Sequence, residues 1–262
     1  MDNDLKKAIS KKMKKSVNAI GFAPVERFKD APDKHHPKDL CKGAQTVIVF
    51  GITVPKGVLS SPAYGLHALH RSYHTIYKNL DALAVDLCIF IEGKEKYRAV
   101  PVPSYAPMVF YGLEPWGLLS LKHAAVKAGL GAFGRSEQIY HPVYGSLLRF
   151  AAVVTDAPMT GDPIIEKHPC PPKCKACLKI CPSKAFSEDS KFSKLVCLGH
   201  TIKHAIYPLM LKDEAGLKNI ERTINTAGHD YWIACNECVK VCPNNREKQR
   251  DNRAVKKKGA RE

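Results

Sequence analysis

The sequence has no apolar run approaching the roughly 18–20 residues that a membrane-spanning helix needs. It also lacks an apolar segment behind the lysines of Met1–Ser16, so no secretory signal is expected there. Acidic residues are scarce beside basic ones, 25 Asp and Glu against 41 Lys and Arg, which leaves a formal net charge of +16. The excess is partly terminal: six Lys against two Asp in residues 1–15, and eight Lys or Arg against three acids in residues 246–262. Such tails suit solubility or non-specific attraction to polyanions, nucleic acid included. An apolar fraction of 45% with 25% charged residues over 262 positions excludes a largely disordered or collagen-like chain. It leaves room for one large domain or two modest ones.

Cysteine is abundant. There are 10, and eight fall between Cys170 and Cys242. Without an export signal the expected compartment is the reducing cytoplasm, where clustered cysteines read as metal ligands rather than disulfides. Two segments nearly repeat: Cys174-Lys-Ala-Cys177-Leu-Lys-Ile-Cys181-Pro182 and Cys235-Asn-Glu-Cys238-Val-Lys-Val-Cys242-Pro243. Each is C-x2-C-x3-C-P, and each has one further cysteine upstream, Cys170 and Cys197. The proline disfavours helical backbone at the last cysteine and turns its thiolate away from its own repeat. In two-cluster ferredoxins the fourth cysteine ligates the other cluster. By that logic Cys170, Cys174, Cys177 and Cys242 hold one [4Fe–4S] cluster, and Cys181, Cys197, Cys235 and Cys238 hold the second. Apolar Leu178, Ile180, Val239 and Val241 would keep water from the sulfides. The rival reading is two zinc sites with four cysteines each; the C-P ending and the apolar inserts favour iron. Cys41 and Cys88 have no cysteine partner nearby in sequence and read as small buried apolar side chains. Lys173, Lys175, Lys179, Lys184 and Lys240 flank the repeats and would suit an acidic electron donor of the ferredoxin or flavodoxin type.

Ahead of the cysteines, helices and strands alternate. Leu5, Ile9, Met13, Val17 and Ile20 predict one amphipathic helix over residues 5–20. Residues 46–54 and 147–155 read as buried strands. Residues 73–91 read as helical and then extended, and 116–128 as helical. Prolines at 158, 163, 169, 171 and 172 predict a linker. The resulting division is 1–161, 162–245 and a basic tail, 246–262, in an α+β class. His67, His70 and His74 share a face if residues 66–80 are helical, which suits a polar face over a core or a metal ligand set.

Gly129-Leu-Gly131-Ala-Phe-Gly134 matches G-x-G-x-x-G, but a helical pattern precedes it where a dinucleotide site needs a strand. The longer run Ala128–Ser136, with Ile139-Tyr-His-Pro142-Val-Tyr144-Gly145-Ser146 after it, resembles the epoxyqueuosine reductase family. That family carries A-G-L/I-G-x-x-G-K-N and then I-x-P-x-Y/F-G-S. Arg71-Ser-Tyr73-His74 is similar to its R-D-Y-H, and the crossed cysteine repeat follows in the same order. The likeness runs over about residues 20–245, and reductive dehalogenases share the plan.

The resemblance implies a nitroreductase-like α/β unit that binds cobalamin, followed by a ferredoxin-like unit with two [4Fe–4S] clusters. Electrons would pass from the donor through the clusters to cobalt. Carried over by motif, Gly131, Gly134, Arg135, Ser136, Tyr144, Gly145 and Ser146 would line the corrin, with Tyr73 and His74 in support. The departures are specific. Arg135-Ser136 stands for the family's Lys-Asn and Ser72 for its Asp. The region of the family's catalytic aspartate reads Gly112-Leu-Glu114-Pro115-Trp116-Gly117. Glu114 and Tyr111 are therefore the candidate proton donors. The long C-terminal extension of tRNA-acting members is not in this sequence. These differences count against epoxyqueuosine in tRNA and leave a small molecule, another modified nucleoside or a partner's corrinoid as expected substrates. Two alternatives stay open: a non-catalytic electron carrier or corrinoid chaperone, and a flavin-binding protein of the nitroreductase-like architecture.

Overall fold

A computed structural model describes residues 2–61, 65–94, 96–105, 107–111, 114–186, 191–201 and 235–245. In chain order these form α1 (Asn3–Met13), β1 (Ala19–Pro24), α2 (Pro37–Leu40), β2 (Thr46–Thr53), α3 (Gly57–Ser60) and α4 (Gly65–Glu92). Next come β3 (Ala99–Val102), β4 (Met108–Tyr111), β5 (Glu114–Gly117), α5 (Leu121–Lys127), β6 (Ala132–Phe133), β7 (Ile139–Tyr140) and β8 (Leu148–Thr155). The cysteine-rich part contributes α6 (Ala176–Ile180), α7 (Lys194–Thr201) and a last short helix, Glu237–Val241.

β2 and, apart from Arg149, β8 are runs of mostly β-branched and apolar residues, and both faces of such strands must be covered. They lie side by side at the middle of an antiparallel sheet of order β1-β2-β8-β3, with Val49 opposite Ala152. Successive side chains point to opposite faces. Val47, Val49, Ala152 and Val154 meet α5 through Ala124 and Ala125. Ile48, Phe50, Ala151 and Val153 meet α1 and α4. The result is a sheet between helical layers, the mixed class that the alternation predicts. Phe50 is 0% exposed at the centre of the α4 face. Phe50→Ala should cost about 3–5 kcal/mol in urea unfolding; a cost below about 1 kcal/mol would remove Phe50 from the core.

Three expected elements differ. The N-terminal helix stops at Met13, and Ile20 belongs to β1. Val17 and Ile20 still pack on the α4 side of the core, so the apolar spacing is real but is shared between a helix and a strand. Residues 73–91 stay helical to the end, because Leu80, Ala84, Leu87, Cys88 and Ile91 form one buried stripe. Trp116 and Gly117 belong to β5, and α5 begins only at Leu121.

The proline-rich stretch from residue 156 to 175 has no helix or strand, yet its first part is a packed strap. Asp2 N donates to Pro158 O at 2.6 Å, and Asp162 pairs with Lys6 Nζ at 2.6 Å and accepts from Phe22 N at 3.0 Å. Among the described residues no helix is long and apolar enough to cross a membrane.

Candidate functional site

The two cysteine repeats fold alike. α6 and the helix Glu237–Val241 are each five residues long and lie against each other. Lys175 and Asn236 precede them with nearly the same backbone, φ −123 and ψ 18 against φ −132 and ψ 19. Cys181 and Cys242 end them in extended geometry, φ −60 and ψ 112 against φ −67 and ψ 122, as a residue before proline should. None of the ten cysteines is in a disulfide.

This geometry groups the thiols crosswise. Cys170, Cys174, Cys177 and Cys242 line one small cavity together with Tyr140, Ala176, Pro243 and Asn244. Burial pushes the Cys177 thiol up, and Cys170 and Cys242 beside it add to the rise. Cys238 is pushed up to about 12, first by burial and then by Cys197 and Cys235, with Cys177 and Cys181 behind them. Cys197, Cys235, Cys177 and Cys181 thus all lie within charge reach of Cys238, which sets the cysteines of both repeats side by side. Such proton-holding thiols are ligands that a metal would have to deprotonate on binding. Cys41 and Cys88 sit in the two hydrophobic cores, where burial raises both thiols.

A seam of polar contacts locks the cysteine segment to the sheet. Asn245, 4% exposed, accepts from Ser146 N at 2.9 Å and donates to Ser146 Oγ and Val239 O, each at 2.8 Å. Asn236 accepts from Tyr73 OH at 2.5 Å, and that hydroxyl accepts from Arg149 Nη2 at 2.6 Å. Arg135 N points at Cys170 Sγ at 3.5 Å, while its guanidinium donates to Pro171 O and Pro172 O at 2.9 and 2.8 Å. Burial, followed by the hydrogen bond with Cys242, drives the Tyr140 hydroxyl far above its ordinary range. Neither Asn245 nor Asn236 was legible as a seam residue, because a buried asparagine leaves no periodic trace in sequence. Tyr140 lay inside the I-Y-H-P run, and that run was the available signal.

The residues that the resemblance assigns to a corrin lie on or beside this seam. Ser136 and Ser146 are buried, at hydrogen-bond distance from Tyr140 OH and Asn245. Tyr73 and His74 are buried on α4. A Cβ on Gly131 would lie 2.5 Å from Tyr140 O, and one on Gly134 would run into the Tyr140 ring and lie 3.2 Å from Cys170 Sγ. Close packing on β7 thus accounts for both glycines. Gly145 has φ +56 and faces Asn245. Arg135 and Tyr144 stay partly exposed. Glu114 sits apart, paired with Lys194 Nζ at 3.1 Å, in a cavity of about 430 Å³ formed with Pro32, Asp33, Lys34, His35 and Trp116. Tyr111 is its cross-strand partner between β4 and β5; the Tyr111, His67 and His70 side chains lie outside the described residues.

No family model matches the sequence. Epoxyqueuosine reductase from Synechocystis sp. is 27% identical over 235 residues, which is 86% of this chain and 71% of that protein. The Pseudomonas aeruginosa epoxyqueuosine reductase is 28% identical over 225 residues, 81% of this chain and 55% of that one. The chain is similar to the epoxyqueuosine reductases over most of its length. It spans little more than half of the Pseudomonas relative. A selenomethionine-labelled epoxyqueuosine reductase structure superposes with a TM-score of 0.64 at 22% identity, over 95% of this chain and 67% of that one. An epoxyqueuosine reductase with a modified tRNA-Tyr stem loop gives 0.62 at 23%, over 95% and 67%. A reductive dehalogenase described as B12-dependent gives 0.58 at 17%, over 94% and 32%. The shared feature at these identities is the fold.

Proposed function

We propose that this protein is an iron–sulfur reductase of the epoxyqueuosine reductase kind, working in a reducing cytoplasm with two [4Fe–4S] clusters and a corrinoid. The observation that carries the proposal is that Cys242 of the second repeat lines one cavity with Cys170, Cys174 and Cys177 of the first. Cys181, Cys197, Cys235 and Cys238 are the proposed second set, with Cys197, Cys235 and Cys181 in charge reach of Cys238. Two zinc sites are the rival, and the C-P endings with the apolar inserts favour iron. The finer architecture belongs to the same proposal: a nitroreductase-like unit over 1–161, a ferredoxin-like unit over 162–245 and the basic tail.

Bound clusters would supply one-electron transfer, and a bound corrinoid would supply a cobalt centre able to take electrons from them. The residues fit the two groups unequally. All eight thiols are available to clusters. Of the corrin set, Tyr73, His74, Ser136, Gly145 and Ser146 are buried in protein contacts, and Arg135 and Tyr144 are the partly exposed members. The corrinoid is accordingly proposed beside Arg135 and Tyr144, the partly exposed members of the set.

The chain's own residues have definable roles. Leu178, Val239 and the seam keep water from the thiols. Lys173, Lys175, Lys179 and Lys184, around Ile180, which is 45% exposed, suit an acidic ferredoxin or flavodoxin as donor. Glu114, with Tyr111 across the hairpin, is the proposed proton donor, and it must leave Lys194 before it can donate. That pairing also favours a second reading, a carrier that reduces a partner's corrinoid without turning over a substrate of its own. The substrate classes are a small molecule, a modified nucleoside or such a corrinoid. A tRNA stem loop is bound by the similar reductase, and the net charge of +16 would attract one here.

The test is oxygen-free purification with iron, sulfide, zinc, cobalt and flavin quantified, followed by cob(II)alamin titration. About eight irons per chain and stoichiometric uptake are expected. Zinc in place of iron overturns the proposal, and bound flavin without corrin uptake selects the flavin reading. Reduction of added corrinoid with no turnover of epoxide or halide selects the carrier. For tRNA, affinity that falls steeply with salt and is indifferent to the modified base would mark counterion release alone.

A further inference from the structure

We infer that Arg149 is the built-in counter-charge of the second cluster, the one assigned to Cys181, Cys197, Cys235 and Cys238, and that it raises that cluster's reduction potential. The inference rests on the proposed cluster assignment and asks what sets the cluster's electron affinity.

Arg149 is the one charged residue of β8, a strand otherwise built for the core. A half-buried guanidinium there is costly unless something answers its charge. Among the described residues no carboxylate pairs with it. Its Nη2 donates to Tyr73 OH at 2.6 Å, its guanidinium lies 4.5 Å over the Tyr73 ring, and its Nη1 donates to Leu148 O at 3.1 Å. All these partners are neutral. The Tyr73 hydroxyl donates onward to Asn236 Oδ1 at 2.5 Å, and Asn236 stands between Cys235 and Cys238. A continuous hydrogen-bonded path therefore runs from the cation to the second C-x2-C turn.

A second cation shares the site. Lys122 Nζ donates to Glu137 O at 2.8 Å, a carbonyl and not a carboxylate. Its ammonium feels Arg149 as a repelling neighbour and Cys197 and Cys238 as attracting ones. Arg149 likewise has Cys238 within charge reach. Two cations thus lie within charge reach of the thiols of one set, Arg149 with no paired carboxylate and Lys122 with Glu137 as well as the thiols. Beside the cavity of the other set stands Arg135, whose guanidinium is spent on Pro171 O and Pro172 O on the exposed side.

A [4Fe–4S]2+ cluster on four thiolates carries a net charge of about −2, and one-electron reduction to [4Fe–4S]+ makes it about −3. Adding an electron beside a fixed positive charge is favoured, and the effect is large where water is excluded. Arg149 is then charge-matched only when the cluster is in place.

Arg149→Gln, Arg149→Lys and Lys122→Gln holoproteins, checked for iron and sulfide, test this in a dithionite-poised potential titration followed by electron paramagnetic resonance. The signal missing from Cys238→Ser identifies the second cluster. Arg149→Gln should lower the reduced fraction of that cluster about tenfold at fixed potential, a midpoint about 59 mV more negative. The first cluster should stay put, and Arg149→Lys should restore most of the shift. Lys122→Gln should move the same midpoint in the same direction by less, and it carries the test if Arg149→Gln loads poorly. An unmoved midpoint in loaded variants, or equal shifts in both clusters, overturns the inference. Absence of iron from the unsubstituted protein overturns the cluster proposal instead.

Discussion

Cys242→Ala should cost the protein one cluster and spare the other. Iron should fall from about eight to about four per chain, and the resonance that disappears should be the one also lost in Cys174→Ala. The reason is spatial. Cys242 follows the second repeat in sequence, but it lines the same cavity as Cys170, Cys174 and Cys177. The extended backbone at Cys242 and the proline after it turn the thiol out of its own helix. Cys181→Ala should do the reverse and remove the cluster held with Cys235 and Cys238. If Cys242→Ala instead removed the signal that Cys238→Ser removes, each repeat would be holding its own cluster. The crossing also predicts that each loss weakens the unit as a whole. Each proposed cluster would tie α6 to the helix Glu237–Val241, so losing either would leave their contact held by one metal group and the seam alone.

The parts of this arrangement that sequence discloses are those governed by period and by covalent reach. β2 is rich in β-branched residues and β8, apart from Arg149, is largely apolar, and their ends emerge within a residue or two of expectation. The C-x2-C-x3-C-P spacing discloses both the bite of each repeat and the turning away of its last thiol. Ile20 shows where period fails, because a strand edge can supply an apolar side chain that helical spacing also predicts. Trp116 fails differently. Its β5 strand is held by pairing with Val109, and strand pairing is non-local and weakly encoded in either segment alone. The site divides in the same way. Cysteines declare themselves by type. The contacts that decide how they are mounted come from Asn245, Asn236, Tyr140 and Arg149, whose partners lie up to 163 positions away along the chain. The glycine motif was legible as a demand for close approach, but the surface approached is Tyr140 on β7.

Asn245→Ala should loosen the cysteine segment from the sheet, lowering stability by about 2–4 kcal/mol and releasing iron from the first cluster more readily. The side chain is 4% exposed and serves three partners at once: Ser146 N, Ser146 Oγ and Val239 O. Truncation strands a donor and an acceptor of Ser146 and the carbonyl of Val239 in a place with little water, and each such group costs about 1–3 kcal/mol when it stays dry. Gly145 is shaped for the same contact. At φ +56 it takes a backbone that side chains rarely adopt, and a Cβ there would run into Asn245. Asn245→Asp should be no milder, since it keeps the acceptor, removes both donors and buries a charge. The neighbouring Asn244 is the control. Its side chain is exposed and donates once, to Pro169 O at 3.1 Å, so Asn244→Ala should change stability by less than about 1 kcal/mol. Urea unfolding and the rate of iron loss to a chelator read the pair. Equal effects at both positions would mean that the segment is held by its clusters and the apolar contact of Val239, with the asparagine clamp contributing nothing of its own.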